Sequence, residues 1–201
     1  MTLLRCIIFL LFAVSFVLGQ SAQQSKQPRV AGDPAALVRN LYHVVIVRHP
    51  ISFPEGADMK ALAPYLSKAL IRRLGTSLAC AGDWSRQHPD PNLKPPYGWV
   101  DDGFFSGGNE RASPGGFHVE SVQPEKNGSF RVHVRLKYSE PIQNPYWYVD
   151  VIVTRENKHF VVDDVVFLKD DWDEESRLSE DLAVDCDGSR WVGHGDERKV
   201  E

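Results

Sequence analysis

From residue 130 to residue 138 apolar and polar side chains alternate without a break. Phe130, Val132, Val134, Leu136 and Tyr138 interleave with Arg131, His133, Arg135 and Lys137. A period of two predicts a strand with one face in a core and the other in water. Trp147, Val149, Val151 and Val153 repeat the pattern over residues 147–155, while residues 160–168 predict a third strand and residues 117–122 a fourth. The connections at residues 125–128, 139–145 and 156–159 are short, which predicts an antiparallel meander. Upstream the period changes to that of a helix. Leu37, Leu41, Val44 and Arg48, flanked by Val38, Tyr42 and Val45, follow Asp33, a good N-cap, and Pro34, and the run stops before Pro50. A second helix is predicted from Pro64 to Gly75, with Leu66, Leu70, Ile71 and Leu74 on one face, and a third over residues 77–87, carrying Cys80. Helices first and strands afterwards give an α+β fold: N-terminal helices packed on a curved antiparallel β-sheet of about four strands, cone-like in outline.

The stretch NKHFVVDDVVF at residues 157–167, closing the meander, and the helices at residues 35–42 and 65–74 resemble the nuclear transport factor 2-like superfamily. This is a cystatin-like α+β cone, and within it the chain is similar to secreted bacterial domains of unknown function. The resemblance covers residues 33–170. It implies a pocket but no one reaction, because that superfamily holds isomerases, dehydratases, cyclases, immunity proteins and plain binding modules.

The first residues change the picture of where the domain works. Arg5 precedes an apolar run from Cys6 to Phe12 that continues to Leu18 and ends at Gly19. This is the pattern of a cleavable signal peptide, residues 1–19, with cleavage after Gly19 or Ala22. The run is short for a membrane span, which takes about 20 apolar residues. Residues 20–32 are polar and aperiodic and read as a flexible leader. The expectation is a periplasmic or extracellular protein that keeps no membrane contact after cleavage. Removal of Cys6 leaves Cys80 and Cys186, an even pair in an oxidising compartment, read as a disulfide, with two separate thiols as the alternative.

Charge adds one local feature. The net charge of -4 is ordinary, but residues 170–187 hold nine acids against Arg177 alone. Residues 171–201 are expected to form an acidic C-terminal extension, a solvated connector tied back through Cys186. No basic stripe with interleaved aromatics is present, so nucleic acid is not an expected partner.

Candidate chemistry is sparse. The seven histidines show no paired ligand spacing, Gly-x-Ser-x-Gly is missing, and the glycines lack the lysine of a phosphate loop. No metal and no cofactor are therefore expected. If Asn157 and Lys158 form a two-residue turn, Arg155 faces Phe160, Val153 faces Val162 and Val151 faces Asp164. Asp164 then lies on the apolar face, and Asp163 lies opposite Ile152 near Asp150 and the row of Arg131, His133 and Arg135. A turn one residue longer exchanges the two acids. An acid inside a cone can act as a general acid or base, or can accept hydrogen bonds from a helix terminus, a Tyr or a Trp. The loop from Trp99 to Glu110 gathers Trp99, Asp101, Asp102, Phe104, Phe105, Asn109 and Glu110 among three glycines, which suits a binding edge. Equally, the Phe pair can plug the end of the cone. Tyr42, His43 and Tyr65 are further candidates from the helices, and no spacing rule selects among them. The preferred reading is a noncatalytic module binding a small molecule or a protein through the cone pocket and this loop. The alternative is a pocket enzyme of isomerase or hydrolase type with Asp164 as acid or base.

Overall fold

The computed structural model describes residues 32–50, 52–90, 92–93, 103–107, 114–141, 144–168 and 175–193. The expected signal peptide, and all of the expected leader except Gly32, therefore lie outside the described residues.

Helix α1 spans Pro34–Arg48. The Asp33 carboxylate accepts from the Ala35 amide at 2.9 Å, Pro34 occupies the first turn, and His49 ends the helix in the left-handed region. A short helix, α2, spans Gly56–Leu62 and was not anticipated; its single buried residue, Leu62, is too little apolar pattern to read. Helix α3 spans Lys68–Gln87 and corrects two expectations. The start is Ser67, whose hydroxyl accepts from the Leu70 amide, while Pro64 sits in a preceding 3-10 turn, Ala63–Tyr65. Gly75 ends nothing: the two expected helices are one. Leu70, Leu74, Ser77, Cys80 and Trp84 form one continuous buried stripe across it, which outweighs the cost of about 1 kcal/mol for a glycine in mid-helix.

Four strands follow: β1, Pro114–Pro124; β2, Phe130–Tyr138; β3, Tyr146–Glu156; and β4, His159–Phe167. A fifth, β5, Ser176–Arg177, pairs with the far end of β4, so the sheet has order β1-β2-β3-β4-β5 and is antiparallel throughout. The fold is thus the expected α+β arrangement with one strand more. The β3–β4 turn is the expected two-residue one: Asn157 and Lys158 both have positive φ, which matches the twist of the hairpin.

One face of the sheet carries Val132, Val134, Leu136, Trp147, Val149, Val151, Val153, Phe160, Val162 and Val165. It packs against Leu37, Val38, Leu41, Tyr42 and Val45 of α1 and Leu70 and Leu74 of α3. The C-terminal segment is more than an acidic connector. After β5 come helix α4, Leu178–Asp181, and a hairpin of β6, Cys186–Asp187, with β7, Arg190–Trp191. Leu178 and Leu182 join the core, and the hairpin lies on α3. Cys80 and Cys186 are joined as expected, 106 residues apart. Asp83 on α3 also accepts the Trp191 amide at 3.0 Å, and His88 meets the Trp191 ring edge-on.

Candidate functional site

Among the described residues, Tyr42, Phe104, Phe105 and Trp147 pack together between the helices and the sheet. Tyr42, fully buried, donates its hydroxyl to the Phe105 carbonyl at 2.7 Å, and burial pushes its phenol well above the usual tyrosine range. The Trp147 indole donates to the next carbonyl, Ser106, at 2.8 Å. Phe104 packs on Phe53 with ring centroids 5.0 Å apart. Gly107 has φ +75°, and a Cβ there would lie 2.7 Å from the Phe167 ring. Residues 103–107 therefore form a stopper, held by two buried side-chain donors on successive carbonyls and a glycine with no room for a side chain. Phe104 and Phe105, expected at a binding edge, and Tyr42, expected in a pocket, are core residues. Trp99, Asp101, Asp102, Asn109 and Glu110 lie outside the described residues.

The two acids of β4 are arranged by a bulge. Arg155 faces Phe160 and Val153 faces Val162 as the turn requires, but the next pair is Ile152 with Asp164, and Val151 faces Val165. Asp163 is the extra, unpaired residue, so every side chain beyond it changes face. This corrects the placement of Asp164 on the apolar face and of Asp163 opposite Ile152. Asp164 is 6% exposed and accepts from the Val165 amide at 3.0 Å, the Ser179 amide at 3.0 Å and the Ser179 hydroxyl at 2.7 Å. Ser179 sits in the first turn of α4, whose own flanking residue, Arg177, offers no cap, so Asp164 caps that helix from across the chain. Asp163 accepts the Ser67 hydroxyl at 2.5 Å and so supports the cap of α3. The pair of acids fastens one helix N-terminus each to the sheet. An acceptor already taken three times is poorly placed to move a substrate proton.

The other face of the sheet, over β1 to β3, presents an organised exposed polar group. His133 pairs across β2 and β3 with Asp150, Arg135 with Tyr148 and Lys137 with Tyr146. Asp150, only 7% exposed, lies 2.7 Å from His133 Nδ1 and accepts from Arg131 at 2.9 Å. The His133 ring and the Arg131 guanidinium thus converge on one carboxylate from the neighbouring strand. The His133 ring stacks on Tyr148 at 5.2 Å, nearly parallel. Arg131 also donates to Glu125 at 3.0 Å, and the hydrogen bond from Ser129, followed by that from Arg131, keeps the Glu125 carboxyl below its usual range. Arg135 pairs with Glu120 at 2.8 Å and lies over the Tyr146 ring at 4.9 Å. Alternation alone exposed the row of Arg131, His133 and Arg135. The tyrosines were missed because Tyr146 and Tyr148 read as the outward half of an apolar strand.

A shallow groove of about 390 Å³ runs between α3 and the C-terminal segment, past Arg72, Arg73, Thr76, Leu182 and Cys186. Among the described residues no group of three or more His, Cys, Asp or Glu is placed to hold a metal, and no helix is long and apolar enough to cross a membrane.

Among the described residues, these features define an α+β fold with residues 103–107 packed into its core, a disulfide-fastened C-terminal segment and an exposed, ordered polar sheet face. Comparison with known proteins finds no matching family model, no matching curated protein and no matching solved structure.

Proposed function

We propose that this chain is an exported, noncatalytic binding module of nuclear transport factor 2-like fold, and that its contact surface is the open face of β1, β2 and β3. The observation that carries the reading is that Asp164, buried but on the face of the sheet away from the core, accepts three hydrogen bonds from Val165 and Ser179 and so serves the architecture. The burial of Phe104 and Phe105 supports it, because these rings pack into the interior that a pocket enzyme of this kind would keep open. Export is supported by the apolar leader of residues 6–18 and by the Cys80–Cys186 bridge, which is the habit of oxidising compartments.

The test is to recover whatever copurifies with the protein from its native host and compare three forms. The wild type and Asp164→Asn are expected to carry the same material, and a double substitution of His133 and Tyr148 by alanine is expected to lose it. A folded Asp164→Asn protein that has lost a measurable turnover would return the enzyme reading.

A further inference from the structure

We propose, resting on the binding-module reading above, that the open sheet face takes an uncharged polyhydroxylated ligand: a neutral oligosaccharide laid across β2 and β3. Charge is the first argument. Glu120, Glu125 and Asp150 stand against Arg131, Arg135 and Lys137, and both arginines are already paired with these acids. A phosphate or carboxylate polymer is attracted by cations that lack internal partners, and this face offers little of that. An apolar partner fits no better, because charged side chains occupy the middle of the surface.

Hydrogen-bonding character is the second argument. After the internal pairs are made, the face still offers guanidinium N–H groups, carboxylate lone pairs, the second ring nitrogen of His133 and the tyrosine hydroxyls side by side. A phosphate only accepts and an ammonium only donates, whereas a hydroxyl does both, so a run of hydroxyls answers such a mixed row at every position. The aromatic side chains are the third. Tyr146 and Tyr148 are 44% and 42% exposed, share this face and are two residues apart, which places them about 7 Å from one another along the strand. Rings at that spacing can pack against the C–H surfaces of adjoining sugar rings. Both tyrosines are held before any ligand arrives, Tyr148 by stacked His133 and Tyr146 by Arg135, so little side-chain freedom is lost on binding.

Calorimetric titration of the full chain with soluble fragments of a β-glucan, an α-glucan, a mannan and a galactan tests this, with a polygalacturonate fragment as the charged comparator. At least one neutral fragment is expected to bind. Tyr148→Ala and Tyr146→Ala are each expected to weaken it about tenfold or more. Tyr148→Phe, which keeps the ring, recovers most of that loss, and Asp164→Asn binds as the wild type does. Binding confined to polygalacturonate, binding of a neutral fragment that neither alanine substitution weakens, or silence with every fragment would each overturn the sugar assignment. The broader reading would survive such a result, since it stands or falls on the copurified material.

Discussion

Asp164 is the residue whose meaning changed most between pattern and structure. Because it caps α4, Asp164→Ala leaves the Ser179 amide without its partner in a partly buried site. It is expected to lower unfolding free energy by about 1–3 kcal/mol in urea titration, with no change in ligand content. An unaltered urea midpoint would contradict the capping role. Sequence could supply the acid and its neighbourhood, since Val162-Asp163-Asp164-Val165 sits in an evident strand and the Asn157-Lys158 turn was placed correctly. It could not supply the bulge. An inserted residue leaves the alternation intact on either side, and whether the ladder skips at Ile152 depends on Ser67 and Ser179, two remote hydroxyls that reward it. Tyr42 shows the same limit: its helical position was legible, but its partner, the Phe105 carbonyl, is 63 residues away.

At the scale of elements, α3 shows how packing overrules punctuation. Gly75 lies within the helix with open space around its Cβ position. Gly75→Ala is therefore expected to stabilise the protein, by about 0.5–1 kcal/mol in thermal or denaturant unfolding, and destabilisation would mean that the helix breaks there after all. The β6–β7 hairpin rests on the same helix through Asp83. The hydrogen bond from the Trp191 amide, ahead of contributions from Arg86 and Gln87, holds the Asp83 carboxyl below its usual range. A depressed pKa means that the folded state favours the ionised form. The contribution is complete above the ordinary carboxylate pKa of about 4 and disappears as pH falls through the lower folded value. Amide exchange at Trp191, corrected for the intrinsic pH dependence of exchange, should therefore lose protection in that acid range, and in Asp83→Asn it should lack this step. The hairpin itself was hidden in the sequence because its strands are two residues each and acidic composition masks them.

For the whole molecule, the meander and the helical layer were readable because both rest on local periodicity, and the bridge because only two cysteines follow the apolar leader. The packing of residues 103–107 into the core was not readable. It depends on residues 103–107 reaching across to α1 and β3, and a Gly-rich aromatic loop reads equally well as lid or plug. The Cys80–Cys186 bridge also sets a scale for stability. Closing a loop of 106 residues limits the unfolded chain, and its reduction is expected to cost about 4–5 kcal/mol by chain-entropy reasoning. Parallel urea melts with and without a dithiol reductant measure this, and coincident curves would mean that the bridge contributes nothing.

That bridge has a practical corollary under attack by proteases. Cys80 and Cys186 lie on either side of the whole stretch from the end of α3 through the five-stranded sheet. A single peptide cleavage anywhere in between yields two fragments that stay covalently united. The nicked molecule would travel as one species in a nonreducing gel and come apart only when a thiol is added.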